Sequence, residues 1–162
     1  MQGNTIIYGL VGALAIALVV AAFTDIHRRQ IDNWLNAAVA LGAPVFWLAA
    51  GYHLWPDVVI QLGLALATFL VLAGLFALKA MGGGDVKLLA ALALWLKPLV
   101  FVKLLMVMAI AGGVLTIVLG MWHIMHRRKD HLKIPYGVAI AGAGLWALSP
   151  ELMAAVHAAT IG

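Results

Sequence analysis

The sequence predicts an all-α, polytopic membrane protein, with about six transmembrane helices making up a single integral membrane domain over residues 1–162. Three observations carry that expectation. Hydrophobic residues make up 65% of the chain and charged residues 10%, where soluble domains have about 45–50% and about 25%. The mean hydropathy is +1.09, so folding in water would leave apolar surface with no place to be buried. The apolar stretches are broken at intervals by short polar connections. Six spans of about 20 residues use about 120 positions and leave roughly 40 for connections and ends, too few for a separate soluble domain.

The first apolar run covers residues 5–23 and ends in Asp25, His27, Arg28, Arg29, Gln30 and Asp32. It lacks the basic start and small-residue cleavage site of a secretory signal and is read as a retained span. A second span is expected over 35–52, and a connection through His53, Trp55, Pro56 and Asp57 leads into a third over 58–78. Next comes Lys79-Ala80-Met81-Gly82-Gly83-Gly84-Asp85, whose glycine run favours a loop over a helix. Residues 86–122 are apolar apart from Lys87, Lys97-Pro98 and Lys103. One helix of that length would be about 55 Å, far beyond a hydrocarbon core of about 30 Å, so two spans with a turn near 97–103 are expected. The basic loop containing His126, Arg127, Arg128, Lys129, Asp130, His131 and Lys133 follows, and a sixth span is expected over 134–156.

Orientation follows from the basic residues. Arg28, Arg29, Lys79, Lys87, Arg127, Arg128, Lys129 and Lys133 flank alternate connections, while Lys97 and Lys103 lie on the opposite side. The positive-inside rule then places the first, third and fifth connections in the cytoplasm and both termini outside. The net charge of +4 therefore describes membrane orientation and lipid contact, and nucleic acid is not an expected partner. The absence of cysteine excludes disulfides, thiol nucleophiles, iron-sulfur centres and cysteine-ligated zinc. Trp34, Trp47, Trp55, Trp95, Trp122 and Trp146 mostly lie near expected span ends and read as interfacial anchors. Small-residue pairs such as Ala38 with Gly42, and Gly112-Gly113, read as helix-packing surfaces.

Asp25 ends the first span and Asp85 begins the fourth, with an out-and-back pair of spans between them. Both carboxylates must therefore emerge on the same membrane face. Partial burial raises a carboxyl pKa, and a second carboxylate close by raises one of the two further. Such a pair suits peptide hydrolysis: an ionised Asp accepts a proton from attacking water while a protonated partner donates toward the oxyanion and the leaving nitrogen. Gly82-Gly83-Gly84-Asp85 contains Gly-x-Gly-Asp, and glycines there allow a peptide to approach without Cβ interference. The Gly-Lys-Ser/Thr ending of a phosphate-binding P-loop is absent. Lys87 either tunes the charge of Asp85 or meets lipid headgroups.

His27, Arg28 and Arg29 either neutralise Asp25 or anchor to anionic lipid. Asp32 is positioned to cap the second span, and Asn33 either does so instead or orients a substrate backbone. His123, His126, Asp130 and His131 invite a metal assignment, but no His-Glu-x-x-His pattern is present and a basic interfacial loop accounts for them. No metal and no cofactor are expected. Pro135-Tyr136-Gly137 restarts a span and is placed to pack against the aspartates. His53, Asp57, Glu151 and His157 are expected at solvated outer ends.

Taken together, Thr24-Asp25-Ile26-His27-Arg28-Arg29-Gln30-Ile31-Asp32-Asn33-Trp34, Gly82-Gly83-Gly84-Asp85-Val86-Lys87 and Lys133-Ile134-Pro135-Tyr136-Gly137 resemble the type IV prepilin peptidase family, in its short form serving Flp or Tad pilus systems. The resemblance covers nearly the whole chain, in the family's order. It implies an aspartic endopeptidase of the bacterial cytoplasmic (inner) membrane whose essential carboxylates match Asp25 and Asp85. Its partners would be a prepilin or pseudopilin precursor, membrane lipid and pilus assembly components. It also implies that Gly82, Gly83 and Gly84 shape the active-site loop and that Asn33, Lys87, Pro135, Tyr136 and Gly137 support it. Asp32 stands where many relatives have proline. The cysteine-bearing insertion of the larger members that also methylate the mature pilin is absent, so peptidase activity alone is implied. Other readings of the same residues are a leader peptidase acting on pseudopilins or archaellin-like precursors, a noncatalytic assembly factor, and a small transporter using Asp25 and Asp85 as ion sites.

Overall fold

The computed structural model describes residues 2–125 and 136–161. All regular structure among them is helical: α1 (Gln2–Arg28), α2 (Asn33–Ala49), α3 (Val59–Ala77), α4 (Gly83–Ala93), α5 (Pro98–Met125) and α6 (Tyr136–Ile161), with a kinked turn at Leu54–Val58 leading into α3. Four stretches are long and apolar enough to cross a bilayer, Thr5–Arg28, Leu54–Ala77, Pro98–Trp122 and Tyr136–His157. The chain is thus an all-α polytopic membrane protein. The remaining two helices are shorter, at 17 residues for α2 and 11 for α4.

The helix ends are set by local chemistry. α1 continues beyond the expected end to Arg28, so Asp25 stands in its last turn, and Arg29 closes it in the left-handed region with φ 55°. α2 stops at Ala49, short of the expected residue 52, because Gly51 takes φ 71° and the Tyr52 amide turns back to the Trp47 carbonyl at 2.9 Å. α3 ends the same way with Lys79 at φ 59° and the Ala80 amide on the Leu75 carbonyl at 2.9 Å. A non-glycine residue in this region costs about 1 kcal/mol.

Two expectations need correction here. The glycine run is not all loop, since Gly83 and Gly84 form the first turn of α4; a helix's first amides need no intrahelical partner, so a low-propensity residue is tolerated there. The break expected near 97–103 lies at 94–97, and Pro98 opens α5. Proline disfavours helix in the residue before it but fits the first helical turn, where its missing N–H is not needed.

α4 is the innermost helix and packs against α2, α3, α5 and α6, while α1 lies between α2 and α6. Val86, Leu88, Leu89, Ala91, Leu92 and Ala93 of α4 are buried, whereas Leu66, Leu70 and Val71 of α3 and Ile110, Ile117 and Val118 of α5 are exposed, as lipid-facing side chains must be. Small residues allow the close approaches: a Cβ on Gly42 would meet the Trp95 ring at 2.8 Å, one on Gly144 would meet Leu18 at 2.8 Å, and one on Gly112 would meet the Tyr136 ring at 3.3 Å. Trp47 and Trp95 are not interfacial anchors. They are 8% and 6% exposed, and their indole N–H groups donate to the Leu94 and Val39 carbonyls, each at 2.8 Å. A buried indole requires such a partner. Trp34, Trp55, Trp122 and Trp146 are exposed, as expected of anchors.

Candidate active site

The end of α1, the connection to α2 and the first turn of α4 enclose a cavity of about 400 Å³. Its wall includes both Asp25 and Asp85, with Arg29, Asp32, Asn33 and Lys87 around them and Gly82, Gly83 and Gly84 beside Asp85. Two carboxylates sixty positions apart in sequence therefore face one space. They are 6% and 8% exposed, among very few buried polar side chains of the described residues.

Each carboxylate is held by backbone. Gly137, at the start of α6, donates its amide to Asp25 Oδ2 at 2.8 Å. Asp85 is the third residue of α4, and its carboxylate reaches back to the amide of Gly82, the residue capping that helix, as in the returning half of a capping box. The glycines are spatial requirements here, not conformational ones, because Gly82 has ordinary φ −73°. A Cβ on Gly82 would lie 2.8 Å from Asp85 Oδ2, and one on Gly84 would lie 3.1–3.3 Å from the backbone and Cβ of Ile31. One on Gly137 would lie 2.8–3.0 Å from three atoms of Asp25.

Asp85 lies outside the four long apolar stretches, and its pKa is pushed up to about 6, first by burial and then by the charge of Asp25, against the lowering effect of the Gly82 amide. Arg29 places positive charge near Asp25. Asp32 stands at the N-cap of α2 but makes no side-chain cap; its carboxylate pairs with Arg28 at 3.7 Å. Asn33 does not cap either, since its Oδ1 accepts from Lys87 Nζ at 2.9 Å. Lys87 is thereby tied across the cavity mouth to α2. Tyr136 packs on Gly112, and its hydroxyl lies 3.4 Å from Thr116 Oγ1, so it supports the α5–α6 contact and not the aspartates directly. Pro135 and the segment 126–133 lie outside the described residues. The His123 and His126 pair therefore has no described geometry.

Two buried amides escaped the sequence analysis. Asn36 donates to the Gly84 carbonyl at 3.3 Å and Gln61 to the Leu96 carbonyl at 3.1 Å. The available signal was a lone amide inside each of two apolar runs, where a polar group costs stability unless it holds something in place.

A model of the type IV leader peptidase family matches residues 12–121 of this chain. The chain belongs to that family. Among its relatives are proteins named prepilin leader peptidase/N-methyltransferase from Aeromonas salmonicida (strain A449), 32% identical, and from Aeromonas hydrophila, 31% identical, each aligned over 150 residues. Those alignments cover 87% of the chain and 50% of each relative, so this leader-peptidase family member spans about half the length of the curated relatives it matches. No solved structure matches it. The family match includes Asp25 and Asp85 and ends before Gly137, the residue whose amide closes the site from α6.

Proposed function

We propose that this protein is a membrane aspartic endopeptidase that removes the short basic leader from type IV prepilins of the Flp type, with Asp25 and Asp85 as its catalytic pair. The observation that carries the proposal is the shared cavity with two buried carboxylates, one of which is pushed up to about 6. An unpaired buried carboxylate couple is costly unless one member holds a proton. With Asp85 as the member that holds it, Asp25, near Arg29, is the base. Water attacks the scissile carbonyl carbon as Asp25 takes its proton, and the Asp85 acid donates its proton to the oxyanion. Collapse of the tetrahedral intermediate returns that proton to Asp85, while Asp25 passes its own to the leaving nitrogen. Both carboxyl groups end as they began.

Six crossings are part of this proposal. α4 is short, yet its ends are tied to the opposite ends of its neighbours: Asn36 of α2 meets Gly84 at one end, and Trp47 of α2 and Gln61 of α3 meet Leu94 and Leu96 at the other. α4 thus runs alongside the part of α2 from Asn36 to Trp47, which supports counting the apolar run from Val86 onward as a crossing with Asp85 at its edge. With the basic connections inside, the cavity opens to the cytoplasm at the inner membrane and both termini lie outside. The partners are a prepilin or pseudopilin precursor, lipid and pilus assembly components. The activity proposed is leader cleavage by the two carboxyl groups, with neither metal nor cofactor in the reaction.

The test is cleavage of an Flp-type prepilin by the purified protein in detergent or lipid, with the cut located by mass spectrometry. Asp25→Asn and Asp85→Asn are each expected to reduce cleavage by at least about 1,000-fold, whereas Asp57→Asn is expected to spare it. Asp57 is at the far end of the bundle, accepting the His53 amide at 3.0 Å. Folded protein that leaves several prepilins uncut would overturn the proposal in favour of an assembly factor or ion transporter.

A further inference from the structure

Asn36 lies in the first turn of α2, is 5% exposed and reaches across to α4. Its Nδ2 donates to the Gly84 carbonyl at 3.3 Å, and its Oδ1 has no partner among the described residues. An amide with half its hydrogen-bonding capacity unmet inside an apolar bundle costs stability, so leucine would serve packing better at this position. Nor is the bond needed to hold α4 beside α2, because Trp47 and Trp95 already tie α2 to the connection that leaves α4, with shorter bonds.

What distinguishes Asn36 is the residue it holds. Gly84 immediately precedes Asp85, and the position of its absent Cβ is already closed off by Ile31 at 3.1–3.3 Å. The first turn of α4 is therefore seated against Ile31 and drawn to α2 by Asn36. Ile31 belongs to the connection that continues directly from Asp25 and α1.

We infer that Asn36 is a positioning residue: by holding the Gly84 carbonyl it sets where Asp85 stands relative to Asp25. This inference rests on the peptidase proposal. The charged groups lining the cavity with the pair are Arg29 and Asp32 from the connection and Lys87 from α4, while α6 presents the Gly137 amide. The hydrogen bond of Asn36 goes to the Gly84 carbonyl and to none of these charged side chains. Loss of the bond lets the first turn of α4 shift, which separates the carboxylates and weakens their coupling.

The experiment compares wild type with Asn36→Leu, both in lipid nanodiscs, by melting temperature and by kcat and KM for prepilin cleavage across pH. The expected result is a kcat lower by about 10- to 100-fold with KM changed less than about 3-fold, because misplacement of a reacting group affects the chemical step. The basic limb of the kcat profile should also move to lower pH, since a carboxyl group less exposed to a neighbouring negative charge gives up its proton more readily. A kcat and pH profile equal to wild type, whatever the change in melting temperature, would overturn the inference and leave Asn36 a helix staple. Should Asn36→Leu not fold, Asn36→Ala removes the same bond and is judged by the same criteria. Wild-type protein that cleaves nothing overturns the peptidase proposal and this inference with it, whereas active wild type with an indifferent variant overturns only the role of Asn36.

Discussion

The amide of Gly137 donates to Oδ2 of Asp25 at 2.8 Å across 112 positions of sequence, joining the start of α6 to the last turn of α1. The carboxylate is close enough that a side chain at 137 has no room, with Asp25 Oδ2, Cγ and Cβ at 2.8, 2.9 and 3.0 Å from the site of a Cβ. Gly137→Ala must therefore displace Asp25 or the start of α6. Under the peptidase proposal, cleavage is expected to fall by about 100-fold or more, as when a reacting group is displaced. The cost in stability should be about 1–3 kcal/mol, as for overpacking elsewhere. Prepilin cleavage and thermal unfolding of the variant check both.

Asp85 supplies a prediction with a sign. Its folded-state pKa is raised from 3.8 to about 6, so the folded protein binds this proton more tightly than the unfolded chain. The contribution to stability is fully present below pH 3.8 and is lost as pH rises to about 6. Asp85→Asn removes an ionisation that burial penalises. The variant should be inactive yet more stable than wild type by about 1–3 kcal/mol at pH 8, with the gain vanishing below pH 4. Melting temperatures across that range measure it, and a variant less stable at pH 8 would contradict it.

The same proton bears on activity. With Asp85 as the acid of the pair, kcat for prepilin cleavage should decline as pH rises above about 6. Its basic limb should fall about tenfold per pH unit. A rate that stays flat from pH 6 to pH 9 in protein that remains folded would assign the acid role elsewhere.

The three glycines before Asp85 should not be equivalent. A Cβ on Gly84 meets backbone atoms of Ile31 at 3.2 and 3.3 Å, whereas one on Gly83 meets the ring of Phe76 at 3.2 Å. A ring can turn aside more readily than backbone can. Gly84→Ala is expected to lower cleavage by at least about tenfold more than Gly83→Ala, because the displaced residue adjoins Asp85. Side-by-side kinetics of the two variants make the comparison.

Trp95 tests the interior away from the site. Its indole donates to the Val39 carbonyl at 2.8 Å and its ring fills the space left by Gly42. Trp95→Phe should lower stability by about 1–3 kcal/mol while leaving the cut site unchanged. Thermal unfolding in detergent and mass spectrometry of the product report the two effects separately.

The membrane class, the approximate order of helices and the convergence of Asp25 with Asp85 were legible without coordinates, because each rests on composition or on counting passes through a bilayer. Gly82 and Gly84 were legible as a motif, but their reason was not, since a glycine chosen for space looks the same in sequence as one chosen for a turn. Asn36 and Gln61 carried a faint signal as isolated amides, while the burial of Trp47 and Trp95 carried none. Tyr136 and Gly137 were singled out together, and only the structure separates a packing ring from a hydrogen-bonding amide.

Hydropathy and charge are sums over neighbouring residues, so the sequence by itself determined that this chain lives in a membrane and that its two buried aspartates share one end of it. The contacts of Gly84 with Ile31, of Asn36 with Gly84 and of Gly137 with Asp25 span distant positions. Only the tertiary structure decided those, because each depends on how closely two backbones approach after helices far apart in sequence have packed.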